Sequence, residues 1–184
     1  TCCSSRDTAP GRTAGRTRTR PSIELSQLVT EVVKDSVPRA LDHGIDLGFE
    51  GLDNMPETCI MDGNPILLQE MVRNLVDNAI HYSGRGGMVT VRVLADRSSS
   101  VQVLQVEDDG PGIAPHEREL VMQPFYRTLG TNVDGSGLGL AIVQEIAQQH
   151  GASVSMEDTH PDRARRGLRV LVRFEPKKSA SVSA

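Results

Sequence analysis

The sequence predicts an α+β fold of two layers, in which helices cover one face of a mostly antiparallel sheet. Three segments of more than ten residues carry apolar side chains at the three- and four-residue spacing of a helix. Shorter segments with the alternating or apolar patterns of strands lie between and after them. Two of these strands follow each other across a short polar turn, which predicts a hairpin and therefore antiparallel pairing.

The first predicted helix begins at Leu25, with Ser26 as its N-cap, and ends at Gly44. Apolar and polar residues then alternate over residues 45–49, as in a strand with one buried face. A second short strand is predicted at residues 58–61, after a segment rich in turn-forming residues.

The second helix has the clearest start in the chain. Asn64 supplies a capping side chain and Pro65 follows at the first helical position. The glycine-rich stretch at residues 83–87 ends this helix. The predicted hairpin strands, residues 88–95 and 101–107, come next.

The last part of the chain returns to helix and then strands. A short helix is predicted from Pro115, followed by a glycine-studded loop at residues 123–137. A third helix is predicted at residues 138–150, and two closing strands near residues 153–156 and 168–174.

A chain of 184 residues fits one domain with tails. We expect residues 1–22 to be a disordered linker or tag-like segment, residues 23–176 to form the domain, and residues 177–184 to be a flexible tail. Hydrophobic content of 38% and charged content of 24% are ordinary for a soluble globular protein.

Several functional classes are disfavoured by composition. The three cysteines, Cys2, Cys3 and Cys59, have neither an even number nor ligand spacing, which argues against a disulfide framework and a zinc site. No stretch is long and apolar enough to span a membrane. The net charge is −4, although residues 1–22 hold five arginines against one aspartate. The acidic remainder predicts no nucleic-acid partner.

Two asparagines mark the second helix as a candidate metal site. Asn74 and Asn78 are four residues apart and so share one helix face. Their neutral amide oxygens suit a magnesium ion that keeps several waters and takes other ligands from phosphates. The alternative is a pair of solvated asparagines beside an apolar stripe.

The segment Asp108-Asp109-Gly110-Pro111-Gly112-Ile113 follows a predicted strand directly. A carboxylate there can accept a hydrogen bond from an exocyclic amine, and glycines let the backbone approach a flat ring. The alternative is an ordinary turn with an acidic start, because Gly and Pro are turn residues.

A glycine-rich loop, Gly135-Ser136-Gly137-Leu138-Gly139-Leu140, runs into the third helix. Free N–H groups and the helix dipole at such a position favour phosphate. The loop lacks the Lys and Ser/Thr of a P-loop and does not open a βαβ unit, which excludes the P-loop and Rossmann classes. The alternative is a flexible hinge and cap.

Together with residues 124–127, the three segments occur in a familiar order. They resemble the N, G1, F and G2 boxes of sensor histidine kinases, a branch of the Bergerat-fold (GHKL) ATPases that includes gyrase, MutL and the ninety-kilodalton heat-shock chaperone. The resemblance covers residues 23–176. It implies a Bergerat fold with a mobile ATP lid, and ATP and Mg²⁺ as the bound ligands.

The resemblance also implies residue roles. Asn78 is the implied magnesium ligand, Asp108 the group that reads the adenine amine, and Arg127 a lid residue that reaches the terminal phosphates. No catalytic residue is assigned beyond Arg127 as a candidate, because no acceptor histidine is identified. The implied nucleotide-contacting residues are Asn74, Asn78, His81, Tyr82, Asp108, Gly110, Gly112, Ile113, Arg127, Gly135, Ser136, Gly137, Leu138, Gly139 and Leu140.

One position separates the branches of this superfamily. The hydrolysing relatives have a water-activating Glu four residues before the magnesium Asn, where this chain has Asn74, which cannot take a proton. Glu70, a further turn back, is predicted to be a solvated helix residue that is rotated off that face. Two positions depart from the histidine kinase pattern: His81 replaces a common Lys or Arg, and Leu168 a common Thr.

The acceptor histidine of the resembled family has a characteristic sequence context, which none of the five histidines shows; His116 comes nearest. We therefore expect a protein-histidine kinase domain that donates phosphate to a dimerisation domain absent from this chain. The resemblance implies that domain and a cognate response regulator as partners. It also implies a cytoplasmic domain without direct membrane contact, in a parent protein of the bacterial inner membrane.

Two alternatives to this function stay open at the level of the sequence. One is a degenerate module that binds nucleotide or a partner without phosphotransfer. The other is a serine kinase or an ATPase of the same superfamily.

Overall fold

The structure is a computed structural model that describes residues 21–51, 60–96, 101–126, 137–163 and 165–175. The predicted tail at residues 177–184 lies outside this part of the chain. So does the predicted linker, apart from Pro21 and Ser22.

The first helix, α1 (Leu25–His43), follows a three-residue strand, β1 (Ser22–Glu24). Gly44 ends the helix as predicted, in the left-handed region at φ 66°, where its N–H caps the last turn. The expected cap is wrong. Ser26 lies inside the first turn and donates a hydrogen bond to the Glu24 carboxylate at 3.2 Å.

Helix α2 (Pro65–Ser83) begins where the sequence predicts. The Asn64 side chain accepts hydrogen bonds from the N–H groups of Ile66 and Leu67, at 3.0 and 3.4 Å. The Asn64 N–H in turn donates to Nε2 of His150 at 3.0 Å, although the two residues are 86 positions apart. The start of α2 is thereby tied to the C-terminal end of the third helix.

The main sheet has five strands in the order β2-β4-β5-β7-β6. Strand β2 runs parallel to β4, and the other neighbours are antiparallel. The mostly antiparallel sheet and the hairpin are therefore confirmed. The strands are β2 (Asp46–Glu50), β4 (Met88–Asp96), β5 (Val101–Asp108), β6 (Ala152–Glu157) and β7 (Arg169–Phe174).

A second, two-stranded sheet pairs β1 with β3 (Ile60–Asp62). Strand β1 was not expected, and it begins at Ser22, one residue before the predicted domain start. Strand β3 covers the described end of the strand predicted at residues 58–61 and extends to Asp62; residues 58 and 59 lie outside the described part of the chain. Ile23 is 8% exposed, so this small sheet contributes to the core.

The third helix, α3 (Gly139–Gln149), follows two short 3-10 helices at Pro115–Glu117 and Leu120–Met122. Helix α2 packs against α1, α3, β4 and β5, and is the centre of the helical layer. None of the helices in the described ranges is long and apolar enough to cross a membrane. The two-layer prediction is confirmed.

Strand alternation divides the sheet into two chemically different faces. The face toward the helices is aliphatic, with Val91, Leu104 and Val172 fully buried. The outer face carries charged side chains from all five strands. They are Glu50, Arg92, Glu107, Arg169 and Glu157.

Candidate functional site

A cavity of about 480 Å³ lies beside the C-terminal half of α2. Its other walls come from α1, the end of β5, the turn after it, the start of α3 and the beginning of β7. The predicted site residues that line this cavity are Asn74, Asn78, His81, Tyr82, Asp108, Gly112, Ile113, Gly137, Gly139 and Leu140.

Five predicted site residues are not among the lining residues. Gly110 and Leu138 lie beside the cavity wall without forming it. Arg127, Gly135 and Ser136 lie outside the residues that the structure describes.

Asp108 is the last residue of β5 and is 7% exposed. Its Oδ1 accepts hydrogen bonds from the N–H groups of Gly110, at 2.9 Å, and Leu168, at 3.1 Å. Burial raises the pKa of Asp108 to about 6, against the opposing effect of those two bonds. The side chain is therefore held rigidly at the cavity wall, where its charged form is poorly solvated.

Gly110 supports this arrangement without contributing to the cavity. A Cβ at this position would lie 2.7 Å from the carbonyl oxygen of Tyr82, so any larger residue would displace the end of α2. Its N–H instead orients the Asp108 carboxylate. Gly112, at φ 77°, does line the cavity and adopts a backbone conformation that favours glycine.

Asn74 and Asn78 lie against the start of α3. A Cβ on Gly139 would be 3.0 Å from Nδ2 and 3.2 Å from Oδ1 of Asn78, and 3.4 Å from Oδ1 of Asn74. Only glycine leaves both amides in place here. The predicted shared face of the two asparagines is the one that meets α3.

The amide group of Asn74 has a defined orientation. Its Nδ2 donates to the carbonyl oxygen of Glu70 at 2.8 Å and to the Glu70 carboxylate at 3.1 Å. This contact corrects the expectation that Glu70 is rotated away, because residues four apart in a helix share a face. With its NH₂ group engaged, Asn74 turns its carbonyl oxygen toward Gly139.

The start of α3 has no side-chain cap. Leu138 occupies the N-cap position in a helical conformation, and its side chain accepts no hydrogen bond. The first turn of α3 includes Gly139 and Leu140, two residues of the cavity wall, and its N–H groups have no partner within the helix. This end of the cavity therefore offers hydrogen-bond donors and a positive dipole end.

His81 and Tyr82 lie at the end of α2. Their rings meet edge to face with centroids 5.4 Å apart. Within the described residues, the buried Nε2 of His81 has no hydrogen-bond partner. Both residues line the cavity, and their contact with a nucleotide stays a prediction.

Sequence reasoning missed the contribution of α1 and the apolar wall. Arg39 and His43, near the end of α1, line the cavity, as do Val106, Leu168 and Val170. Leu168 is marked in the sequence only by its departure from the family pattern, and no local pattern marks the other four. Their position follows from the packing of α1 on α2 and from the pairing of β5 with β7.

The cavity combines an apolar slot with two polar ends. Aliphatic side chains form one part of the wall, and the Asp108 carboxylate beside them can accept a hydrogen bond. Amide oxygens and helix N–H groups at the other end suit a metal ion and phosphate. These are the chemical requirements of a nucleoside polyphosphate.

Comparison with known proteins identifies the family. Residues 63–178 match the family described as histidine kinase-, DNA gyrase B-, and HSP90-like ATPase. The chain belongs to this family. The match spans α2, the turn after β5 and α3, which form most of the cavity; α1, which contributes Arg39 and His43, precedes the matched residues.

Relatives within the family are sensor kinases. Sensor protein QseC of Salmonella typhi is 40% identical over 152 residues, or 83% of this chain and 31% of that protein. Sensor protein kinase PmrB of Pseudomonas aeruginosa is 36% identical over 135 residues, or 73% of this chain and 27% of that protein. The chain thus spans less than a third of the length of these relatives.

Solved structures give the same assignment. A mycobacterial sensor histidine kinase, MprB, superposes with a TM-score of 0.73 and 28% identity, over 85% of this chain and 97% of that one. The nucleotide-free catalytic domain of histidine kinase ThkA gives a TM-score of 0.68 and 25% identity, over 84% and 95%. Within its ATPase family, the chain is an ATP-binding catalytic domain of the sensor histidine kinase type.

Proposed function

We propose that this domain binds Mg²⁺-ATP in the cavity and donates the γ-phosphoryl group to a histidine on a dimerisation domain. The observation that carries the proposal is the two-ended cavity, with Asp108 at one end and the Asn74–Asn78–Gly139 cluster at the other. On this proposal, a response regulator then receives the phosphoryl group. The parent protein is an inner-membrane sensor with this domain in the cytoplasm.

Adenine recognition is assigned to Asp108. Its Oδ1 is already occupied by two backbone N–H groups, which leaves Oδ2 as the acceptor for the exocyclic amine. Gly112 and Ile113 would lie against the ring, and Leu168 and Val170 would contribute apolar surface, because all four line the cavity. Leu168 provides a main-chain hydrogen bond to Asp108, so this role does not depend on its side chain.

The magnesium ion is assigned to Asn78, with Asn74 on the phosphate side. No cluster of three or more His, Cys, Asp or Glu side chains suited to a metal occurs in the described residues. The protein ligand assigned here is one neutral amide oxygen, so the ion would take its remaining ligands from phosphates and water. When bound, this ion would neutralise charge on the β- and γ-phosphates.

The phosphates are assigned to the start of α3. The N–H groups around Gly137, Leu138, Gly139 and Leu140 can donate to phosphate oxygens, aided by the helix dipole. Ser136, Gly135 and Arg127 complete the set proposed from the sequence.

Transfer to histidine is favoured over hydrolysis by the chemistry of Asn74. Its amide cannot accept a proton, and its Nδ2 is engaged by Glu70. In the proposed reaction, a ring nitrogen of the acceptor attacks the γ-phosphorus through its lone pair. The bond to the bridging oxygen breaks, and ADP leaves with that electron pair.

The test combines this chain with the dimerisation and phosphotransfer domain of a related sensor kinase and ATP labelled in the γ-phosphate. We expect acid-labile, base-stable phosphate on the added domain, and hardly any free phosphate from this chain alone. Asn78→Asp should abolish the labelling. Rapid phosphate release by the chain alone, lost in Asn78→Asp, would contradict the proposal and indicate a hydrolase.

A further inference from the structure

A permanent cation at the cavity wall has no assigned role in the site. Of the described residues that line the cavity, Arg39 alone carries a permanent positive charge, whereas Asp77 and Asp108 bring two carboxylates. Arg39 comes from α1, outside the segments that the sequence marks as functional. A triphosphate brings several negative charges into this space, so the position of Arg39 matters for binding.

Arg39 is held at the cavity wall by Asp77. Its Nη1 lies 2.5 Å from Oδ2 of Asp77 on α2. Asn74, Asp77 and His81 are spaced by three and four residues and are therefore neighbours on the surface of α2. Because Asn74 and His81 both line the cavity, a guanidinium on Asp77 lies beside the phosphate end.

The ion pair is partly exposed to solvent. The side chain of Arg39 is 55% exposed and that of Asp77 is 32% exposed. Exposed ion pairs contribute little to stability because water solvates both partners well. Phosphate, in contrast, offers several charged oxygens to the planar fork of a guanidinium, and the resulting paired hydrogen bonds are strong.

We propose that Arg39 is a phosphate ligand of this domain, which leaves Asp77 and binds the terminal phosphates when nucleotide enters. This inference rests on the proposed function, since it takes the same cavity to be the ATP site. Asp77 holds the arginine at the wall in the free state and is left solvated after the exchange. Asp77 thereby competes with the phosphates of the nucleotide for the Arg39 guanidinium.

The competition predicts opposite effects for the two partners. Arg39→Gln removes the ligand and should weaken binding of a nonhydrolysable ATP analogue with Mg²⁺ by about tenfold, with adenosine affinity unchanged. Asp77→Asn frees the arginine and should strengthen binding of the same analogue by a few-fold. A purely structural clamp between α1 and α2 would make both variants behave alike.

The experiment is calorimetry on the full chain with two probes, adenosine and the Mg²⁺-bound ATP analogue. Arg73→Gln is the matched control, because Arg73 is an exposed arginine one turn before Asp77 on α2 and does not line the cavity. It removes the same charge from the same region and should leave both affinities unchanged. Thermal unfolding of each variant verifies that it is folded.

The outcomes separate this inference from the proposed function. Weaker analogue binding in Arg39→Gln together with stronger binding in Asp77→Asn supports the exchange, whereas unchanged binding in Asp77→Asn overturns it. Equal losses in both variants, or an effect of Arg39→Gln no larger than that of Arg73→Gln, overturn it and leave the ATP site intact. A parent chain that binds neither probe overturns the proposed function, and with it this inference.

Discussion

At the scale of single residues, Asp108 shows a conflict between binding and stability. The carboxylate is buried, and desolvation raises its pKa to about 6. Two backbone N–H groups stabilise the ionised form but do not compensate fully for the lost water. The fold thus keeps in place an acceptor suited to an adenine amine, and the nucleotide-free domain is less stable as a result.

Asp108→Asn should therefore stabilise the nucleotide-free domain near neutral pH. Because the folded pKa is raised, the stability of the parent is fully present below the unfolded pKa and decreases as pH rises through about 6. Asn keeps an oxygen for Gly110 and Leu168 but carries no charge. We expect the variant to gain about 1–3 kcal/mol over the parent at pH 8 and almost nothing near pH 4.

Denaturant unfolding of both proteins across this pH range measures the difference. The same variant should lose about tenfold in affinity for adenosine, since it loses the charged acceptor. A stability difference that does not depend on pH would contradict the assigned burial effect. Unchanged adenosine affinity would contradict the role of Asp108 in base recognition.

The sequence predicts a residue of the site when the pattern that marks it is local in the chain. Asn74, Asn78 and Asp108 were identified from spacing within one element or from the position after a strand. Leu168 could not be identified as a partner of Asp108, because it donates through its main chain from 60 residues away. Arg39 reaches the cavity only through the packing of two helices, which has no sequence signature.

At the scale of elements, Arg118 fixes the turn that follows β5. Its guanidinium donates to the carbonyl oxygens of Ile113 and Met156, each at 3.1 Å, and to the carboxylate of Asp158. The turn carrying Ile113 is thereby fastened to the end of β6. Arg118 itself does not line the cavity, so it acts as a positioning residue for the adenine end.

Arg118→Met should weaken adenosine and ATP-analogue binding equally, by about three- to tenfold, because the turn loses its anchor while the phosphate end is unchanged. Arg166→Met is the matched control. Arg166 is more exposed and contacts the same Asp158 carboxylate at 3.5 Å. Calorimetry should show no loss in the control; equal losses in both variants would assign the effect to Asp158 instead.

The elements differ in how far local sequence determines them. The start of α2 was predictable because Asn64 and Pro65 are local signals, and the hairpin because β4 and β5 are adjacent in the chain. The β1–β3 pair was not predictable as a sheet. Strand β1 has three residues, too few for a pattern. A strand was predicted at the position of β3, but its pairing with β1 is long-range. Ser26 is a common N-cap residue type, whereas the structure has Glu24, two residues earlier, at the N-cap position.

At the scale of the whole molecule, the two faces of the sheet have different roles: the outer face carries a network of ion pairs, and the inner face contributes to the cavity. On the outer face, the Glu107 carboxylate receives hydrogen bonds from Arg92, Gln105 and Arg169, and Arg92 also binds Glu50. The partners come from four strands, so the network joins most of the sheet. On the inner face, the next residue, Asp108, belongs to the cavity.

Glu107→Gln, one position before Asp108, should therefore affect stability and adenosine affinity in the opposite way to Asp108→Asn. The Glu107 side chain is 12% exposed, and an amide would direct an NH₂ group at donors that now share two carboxylate oxygens. We expect a loss of about 1–3 kcal/mol in the free energy of unfolding, and a smaller loss at high salt, where charge pairs contribute less. Adenosine affinity should stay within about twofold of the parent, because the side chain points away from the cavity.

The two neighbouring variants should therefore differ in opposite ways. Glu107→Gln should lose stability and keep its adenosine affinity, and Asp108→Asn should gain stability and lose adenosine affinity. This result would demonstrate that the two faces of the sheet have separate roles. A loss of nucleotide affinity in folded Glu107→Gln would instead show that the outer network holds Asp108 in position, so that the two faces act together.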